Sequence, residues 1–130
     1  MNQILFQEKP IVWLGSSVTF GDNGYSMAEA IAENHSAVTS YKYAISGTML
    51  TNTSDSSYVE RMKEIDPDMD IDAFVVQLST NDATNGMPLG EISDNDEYDD
   101  TTIVGAMETI ISYVKDTWNC PICILYRNIL

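Results

Sequence analysis

Three residues in this chain have the types and settings that acyl-transfer chemistry requires: Ser17, Gly47 and Asn81. A serine nucleophile needs an oxyanion hole, a set of donors fixed where negative charge develops. The backbone N–H of Ser17, the backbone N–H of Gly47 and the side-chain amide of Asn81 make a set of that kind. Glycine suits the second place because nothing beyond its backbone obstructs an approaching substrate. Taken alone, the stretch Ile11 to Gly21 is an ordinary strand followed by a Ser/Thr-rich helix cap. The two later polar turns, around Gly47 and Asn81, change that reading, because all three follow predicted strands.

Serine at its free pKa is a poor nucleophile and needs an adjacent base. The one histidine, His35, stands at the far end of a predicted helix that starts near Ser17. Some ten helical residues carry it about 15 Å away, towards the opposite edge of the sheet. It reads as a polar residue closing a helix C-terminus. Cys120 and Cys123 form a Cys-Pro-Ile-Cys pair, a spacing used by redox pairs and by half of a zinc site. Redox pairs of this kind open a helix, whereas this one lies at the start of a predicted strand, and there is no second pair. Two reduced structural thiols are expected, with no metal and no cofactor. The acidic run 94–100 lacks the spacing and central glycine of an EF-hand calcium loop. Its acids are expected to favour the positive end of the helix that follows.

The elements that must position these residues alternate along the chain. The apolar run Ile11-Val12-Trp13-Leu14 reads as a strand buried on both faces, with Gly15 allowing a sharp turn where it ends. A helix follows over 25–34, with Asp22 to Gly24 supplying turn and cap chemistry. Strands are expected at 38–45, 73–78 and 121–126, and helices at 58–65 and 101–118. In the last helix Ile103, Val104, Met107, Ile110, Ile111, Val114 and Trp118 keep helical spacing. Strands alternating with helices predict an α/β fold with a parallel sheet covered on both faces. In such a sheet the three polar turns share the carboxyl edge, where open α/β folds place their sites.

With these motifs in this order, the chain resembles the SGNH hydrolases, also called the GDSL esterase/lipase family. The family's Gly-Asp-Ser-Leu motif is matched by Gly15-Ser16-Ser17-Val18, its second-motif glycine by Gly47, and its Gly-x-Asn-Asp motif by Ser79-Thr80-Asn81-Asp82. Ser16 replaces the usual aspartate and Ser79 the usual glycine. The Gly-x-Ser-x-Gly elbow of the α/β-hydrolases is not present, since Thr19 stands where it needs glycine. The resemblance implies a flavodoxin-like three-layer sandwich, Ser17 as nucleophile, Gly47 and Asn81 in the oxyanion hole, and hydrolysis of small acyl esters.

The family's fourth motif, Asp-x-x-His, supplies the general base and has no counterpart before Leu130. The expectation is a chain truncated before that motif, lacking the family's last strand and helix, and weak or inactive as it stands. One permitted reverse translation of the segment from Cys123, read from its second base, gives Val-Phe-Tyr-Thr-Gly-Thr-Tyr, the kind of sequence the family carries there. A frameshift near Cys123 would account for the ending. The fourth strand then becomes an apolar edge that invites pairing with another chain, so a homo-oligomer is expected. The alternative reading is a non-catalytic flavodoxin-like binding module.

Composition bounds the partners. The chain has 130 residues, enough for a single domain over 1–130, and carries 20 acidic against 6 basic residues for a net charge of −14. Such acidity argues against nucleic acid and anionic membrane, which are polyanions. The first ten residues lack the apolar core of a secretory leader and no run is long enough to span a membrane. The expected place is the cytoplasm, and the expected partner a small ester.

Overall fold

The computed structural model describes residues 8–126. Strand β1 (Lys9–Gly15), buried over its last four residues, lies inside the sheet between β2 (Val38–Ala44) and β3 (Ala73–Gln77). Strand β4 (Ile122–Leu125) pairs with the outer side of β3. All pairings are parallel, and the strand order is β2-β1-β3-β4. That is the flavodoxin-like order. In it the chain switches direction between β1 and β3, and open α/β folds place their ligands outside the carboxyl ends of the strands at such a point.

The alternation of side chains divides the core into two layers. Val12, Leu14, Phe74 and Val76 face helices α3 (Tyr58–Met62) and α5 (Ile103–Thr117), whose Tyr58, Val59, Met62, Ala106, Ile110 and Val114 close the larger core. Trp13 and Val75 face the other way, against Met27, Ala28 and Ile31 of α2 (Met27–Asn34). The sheet is therefore the middle of three layers. Polar bonds pin α2 in place: Trp13 Nε1 donates to Ser40 Oγ (3.0 Å), which donates to the Ala28 carbonyl (2.7 Å). Lys42 pairs with Glu29 at 2.6 Å.

Several boundaries differ from the sequence expectation for local reasons. Helix α2 starts at Met27 rather than 25 because Ser26 is its cap: the hydroxyl accepts from the Ala28 N–H and Glu29 reaches back to the Ser26 N–H. Asp22 and Tyr25 close a separate turn ahead of it. Helix α3 ends at Met62; Glu64 and Ile65 donate three residues back, to Arg61 and Met62, in a tightening final turn. The cap of α5 is Thr102, and its first turn holds no acidic residue. The acids of 94–100 precede that turn, and Asp99 spends its carboxylate on Thr101. They are thus loop acids, not first-turn partners of the helix.

Cys120 belongs to the larger core, whereas Cys123 is an exposed thiol on β4 beside the opposite, Trp13 face. The sheet separates them, and both are free thiols. No helix among the described residues is long and apolar enough to cross a membrane. The leader reading over residues 1–7 and the ending Arg127 to Leu130 lie outside the described residues.

Candidate active site

Ser16 is buried and Ser17 exposed where β1 gives way to the single helical turn α1 (Ser17–Phe20). The turn closes through backbone donation from Gly21 to the Ser17 carbonyl at 2.9 Å. Gln77, the last residue of β3, holds it from the side: its Oε1 accepts from the Ser16 N–H (3.1 Å) and from Thr19 Oγ1 (3.0 Å). Its amide in turn donates to the Leu78 carbonyl. Glycine is required at position 15 by close approach rather than by an unusual backbone angle. A Cβ there would lie 2.1 Å from Thr19 Oγ1 and 2.9 Å from Gln77 Oε1, and Gly15 is not among the positive-φ residues.

Gly47 lies beyond the end of β2 and is exposed. Here the backbone does call for glycine, with φ of +82°, and a Cβ would meet nothing within 4 Å. The next residue anchors this loop. The Thr48 hydroxyl donates to the Ile45 carbonyl at 2.7 Å, and the Thr48 carbonyl accepts from Asn81 Nδ2 (2.9 Å) and from Ser79 Oγ (3.0 Å). Asn81 opens the single turn α4 (Asn81–Thr84), and its own N–H donates to Ser79 Oγ at 3.0 Å. A serine at position 79 therefore does work that a glycine could not.

Two buried charges lie under this edge. Asp82, 2% exposed, accepts from the N–H groups of Leu50 and Thr51 at 2.9 Å and from Thr51 Oγ1 at 2.8 Å. Arg61, 5% exposed, donates to the carbonyls of Gly15 and Tyr43 and to the Thr48 hydroxyl. Burial lowers its pKa from the ordinary value. Tyr58 packs beside it with its ring 5.4 Å from the guanidinium, and the Tyr58 hydroxyl is buried without a hydrogen-bond partner. Burial pushes that phenol up to about 12, an effect partly offset by the neighbouring Ser16 and by the Arg61 charge.

No family model matches the chain, and no curated protein sequence does. Solved structures do. A protein from Lactobacillus plantarum superimposes with a TM-score of 0.72 at 25% identity, over 93% of this chain and 57% of its own. A "putative GDSL-like lipase" from Bacteroides ovatus matches with a TM-score of 0.72 at 22% identity, over 95% of this chain and 74% of its own. Its namesake from Bacteroides uniformis gives 0.75 at 16% identity, over 95% and 73%. The chain has the fold of these GDSL-like lipases. It spans little more than half, 57%, of the Lactobacillus plantarum protein.

Within that fold Ser17, Gly47 and Asn81 all stand at the carboxyl edge of the sheet, beyond the ends of β1, β2 and β3. His35 does not join them. It caps the C-terminus of α2, next to the pairing of Lys9 with Val38 that begins the sheet. A seven-residue strand separates that end from the serine turn, about 20 Å at the usual rise. Sequence reasoning missed Arg61, Gln77 and the role of Thr48. Arg61 carried a visible signal: a charge three residues after Tyr58, on the side of a short helix that otherwise holds Tyr58, Met62 and Ile65.

Proposed function

We propose that this chain is an SGNH-type serine hydrolase acting on small acyl esters. Ser17 Oγ attacks the acyl carbonyl and its proton passes to solvent water, which later returns one to the departing alcohol, because His35 stands at the opposite edge of the sheet. The Ser17 and Gly47 N–H groups and the Asn81 amide receive the oxyanion. Its collapse expels the alcohol and leaves an acyl-serine, which water then hydrolyses to acid and free Ser17. Without a base in reach the 130-residue chain turns over slowly, at the level that oxyanion donors and binding alone provide.

The observation that carries the reading is the tie between Asn81 and the Gly47 loop. Asn81 Nδ2 holds the carbonyl of the residue after Gly47 at 2.9 Å, while Ser17 is exposed on the neighbouring turn. A sheet edge that merely ended would have no need to aim a side-chain amide and a glycine loop at one another beside an exposed serine. The test is hydrolysis of p-nitrophenyl acetate by the chain and by Ser17→Ala. A rate above buffer that disappears in Ser17→Ala is expected. Equal rates for the two proteins would favour a non-catalytic binding module and remove the hydrolase reading.

A further inference from the structure

We propose that Arg61 is a positioning residue for this site, a buried guanidinium fork that sets the serine turn and the glycine loop at a fixed spacing. The activity part of this inference rests on the hydrolase reading; the clamp itself does not.

An arginine buried without a counter-ion is costly unless its donors are satisfied. The ion pairs among the described residues join Lys42 to Glu29 and Lys63 to Glu60, and Arg61 is in neither. All its partners are neutral oxygens. Nε donates to the Ser56 carbonyl (2.8 Å) and Nη1 to the Tyr43 carbonyl (2.8 Å). Nη2 donates to the Gly15 carbonyl (2.9 Å) and to Thr48 Oγ1 (3.0 Å). The phenol ring of Tyr58 supplies the remaining stabilisation through its face.

The choice of partners points beyond stability. Where β1 and β2 part company, the ladder thins: Ile45 N–H reaches the Gly15 carbonyl at only 3.4 Å. Arg61 donates to the same carbonyl at 2.9 Å, two residues ahead of Ser17. The same Nη2 holds the hydroxyl of Thr48, one residue past Gly47. One nitrogen thus bridges the strand that delivers the serine and the loop that carries Gly47, and Nη1 ties both to the end of β2. The planar guanidinium fixes the relative direction of these N–H groups. A lysine ammonium, a point charge with rotatable donors, does not. Misplacing reacting groups by about 1 Å costs roughly 10²-fold in rate, so a spacer of this kind acts on turnover rather than on binding.

The test uses the full chain with Arg61→Lys, Arg61→Gln and Thr48→Val. Amide hydrogen exchange is followed over 15–21 and 45–51, with α5 as an internal reference for global stability. Labelling of Ser17 by a fluorophosphonate is followed by mass spectrometry, and kcat and KM for p-nitrophenyl acetate are separated. The expected result for Arg61→Lys is faster exchange in both loops, by about tenfold, with α5 protection retained. Labelling and kcat fall by roughly 10²-fold and KM stays near the parent value. Thr48→Val should reproduce the loop effect in weaker form. Unchanged exchange in both loops overturns the clamp, as does exchange that rises equally in α5. A change in KM alone overturns the positioning role. Should Arg61→Gln fail to fold, Arg61→Lys and Thr48→Val still decide. Should the parent chain neither label at Ser17 nor turn over, the hydrolase reading falls, while the exchange comparison still judges the clamp.

Discussion

Asn81 donates through Nδ2 to the main-chain carbonyl of Thr48 at 2.9 Å. One amide proton is thereby committed to the loop, and under the proposed function the second meets the substrate oxygen. Asn81→Ala removes both. Loss of one oxyanion donor costs about 10²–10³-fold in kcat, and p-nitrophenyl acetate turnover is expected to fall by that much. Asn81→Asp should melt lower than Asn81→Ala, because it sets a carboxylate against the Thr48 carbonyl. Parent-like turnover in Asn81→Ala would exclude Asn81 from the oxyanion hole.

Gly15 and Gly47 should fail in different ways when replaced by alanine. At Gly15 the new Cβ meets Thr19 Cβ at 2.5 Å and Thr19 Oγ1 at 2.1 Å, a packing clash of about 1–3 kcal/mol. At Gly47 there is open space, and the cost is the left-handed backbone, φ +82°, about 1–2 kcal/mol. Urea unfolding midpoints measure both. Crystal structures of the two variants should show Thr19 displaced only in Gly15→Ala.

Asp82→Ala should be among the most destabilising polar substitutions. It strands the buried N–H groups of Leu50 and Thr51, each bonded at 2.9 Å in the parent, at about 1–3 kcal/mol apiece. Asp82→Asn keeps one acceptor oxygen and turns an NH₂ towards a donor, so it should recover only part of the loss. Thermal melting of both variants checks the order.

Stability should depend on pH through Glu29. Burial alone would raise this carboxyl; hydrogen bonds from Lys42 and Ser26 outweigh burial and hold it below its ordinary value of 4.5. A group depressed in the folded state stabilises above its unfolded pKa, and that contribution is lost as pH falls through the folded value. Glu29→Gln should therefore be less stable than the parent at neutral pH, and the two should converge in acid well below 4.5. Urea midpoints across that range would show a constant gap if Glu29 were unlinked to folding.

Strand β4 pairs with β3 on one side only among the described residues, and Cys123 on it is exposed. We expect copies of the chain to associate through this edge. Light scattering over a dilution series should show a mass falling towards the monomer's 14.5 kDa, with Cys123→Lys shifting the fall to higher concentration. A monomer at every concentration would dismiss the association.

Strands β1 and β3 were legible because each carries an apolar run stopped by polar turn residues, as in Ala73 to Val76 followed by Ser79 and Thr80, whereas β2 (Val38–Ala44) shows only an imperfect alternation. The edge that gathers Ser17, Gly47 and Asn81 follows from strand order alone. The parts that escaped depend on contacts distant in sequence. Arg61 finds the Gly15 carbonyl across 46 positions, and Gln77 finds Ser16 across 61; no local pattern encodes either. The caps escaped for the opposite reason. Ser26 and Thr102 each compete with neighbouring turn formers, and only the closed geometry reveals which hydroxyl reaches the free N–H groups.

The β2-β1-β3-β4 order also bears on how this protein comes to be folded. A parallel sheet has no hairpins, so each strand pairing must close a long loop before it is rewarded, which makes such topologies slow to form. Helix α5 can coil from local contacts early. The serine turn is held by Gln77 at the end of β3, and the glycine loop by Asn81 beyond it, so neither is fixed until β3 has docked. In refolding from urea, far-ultraviolet ellipticity should recover ahead of Ser17 reactivity. Ser17 is then a clock for completed topology, set in place only when the third strand has docked.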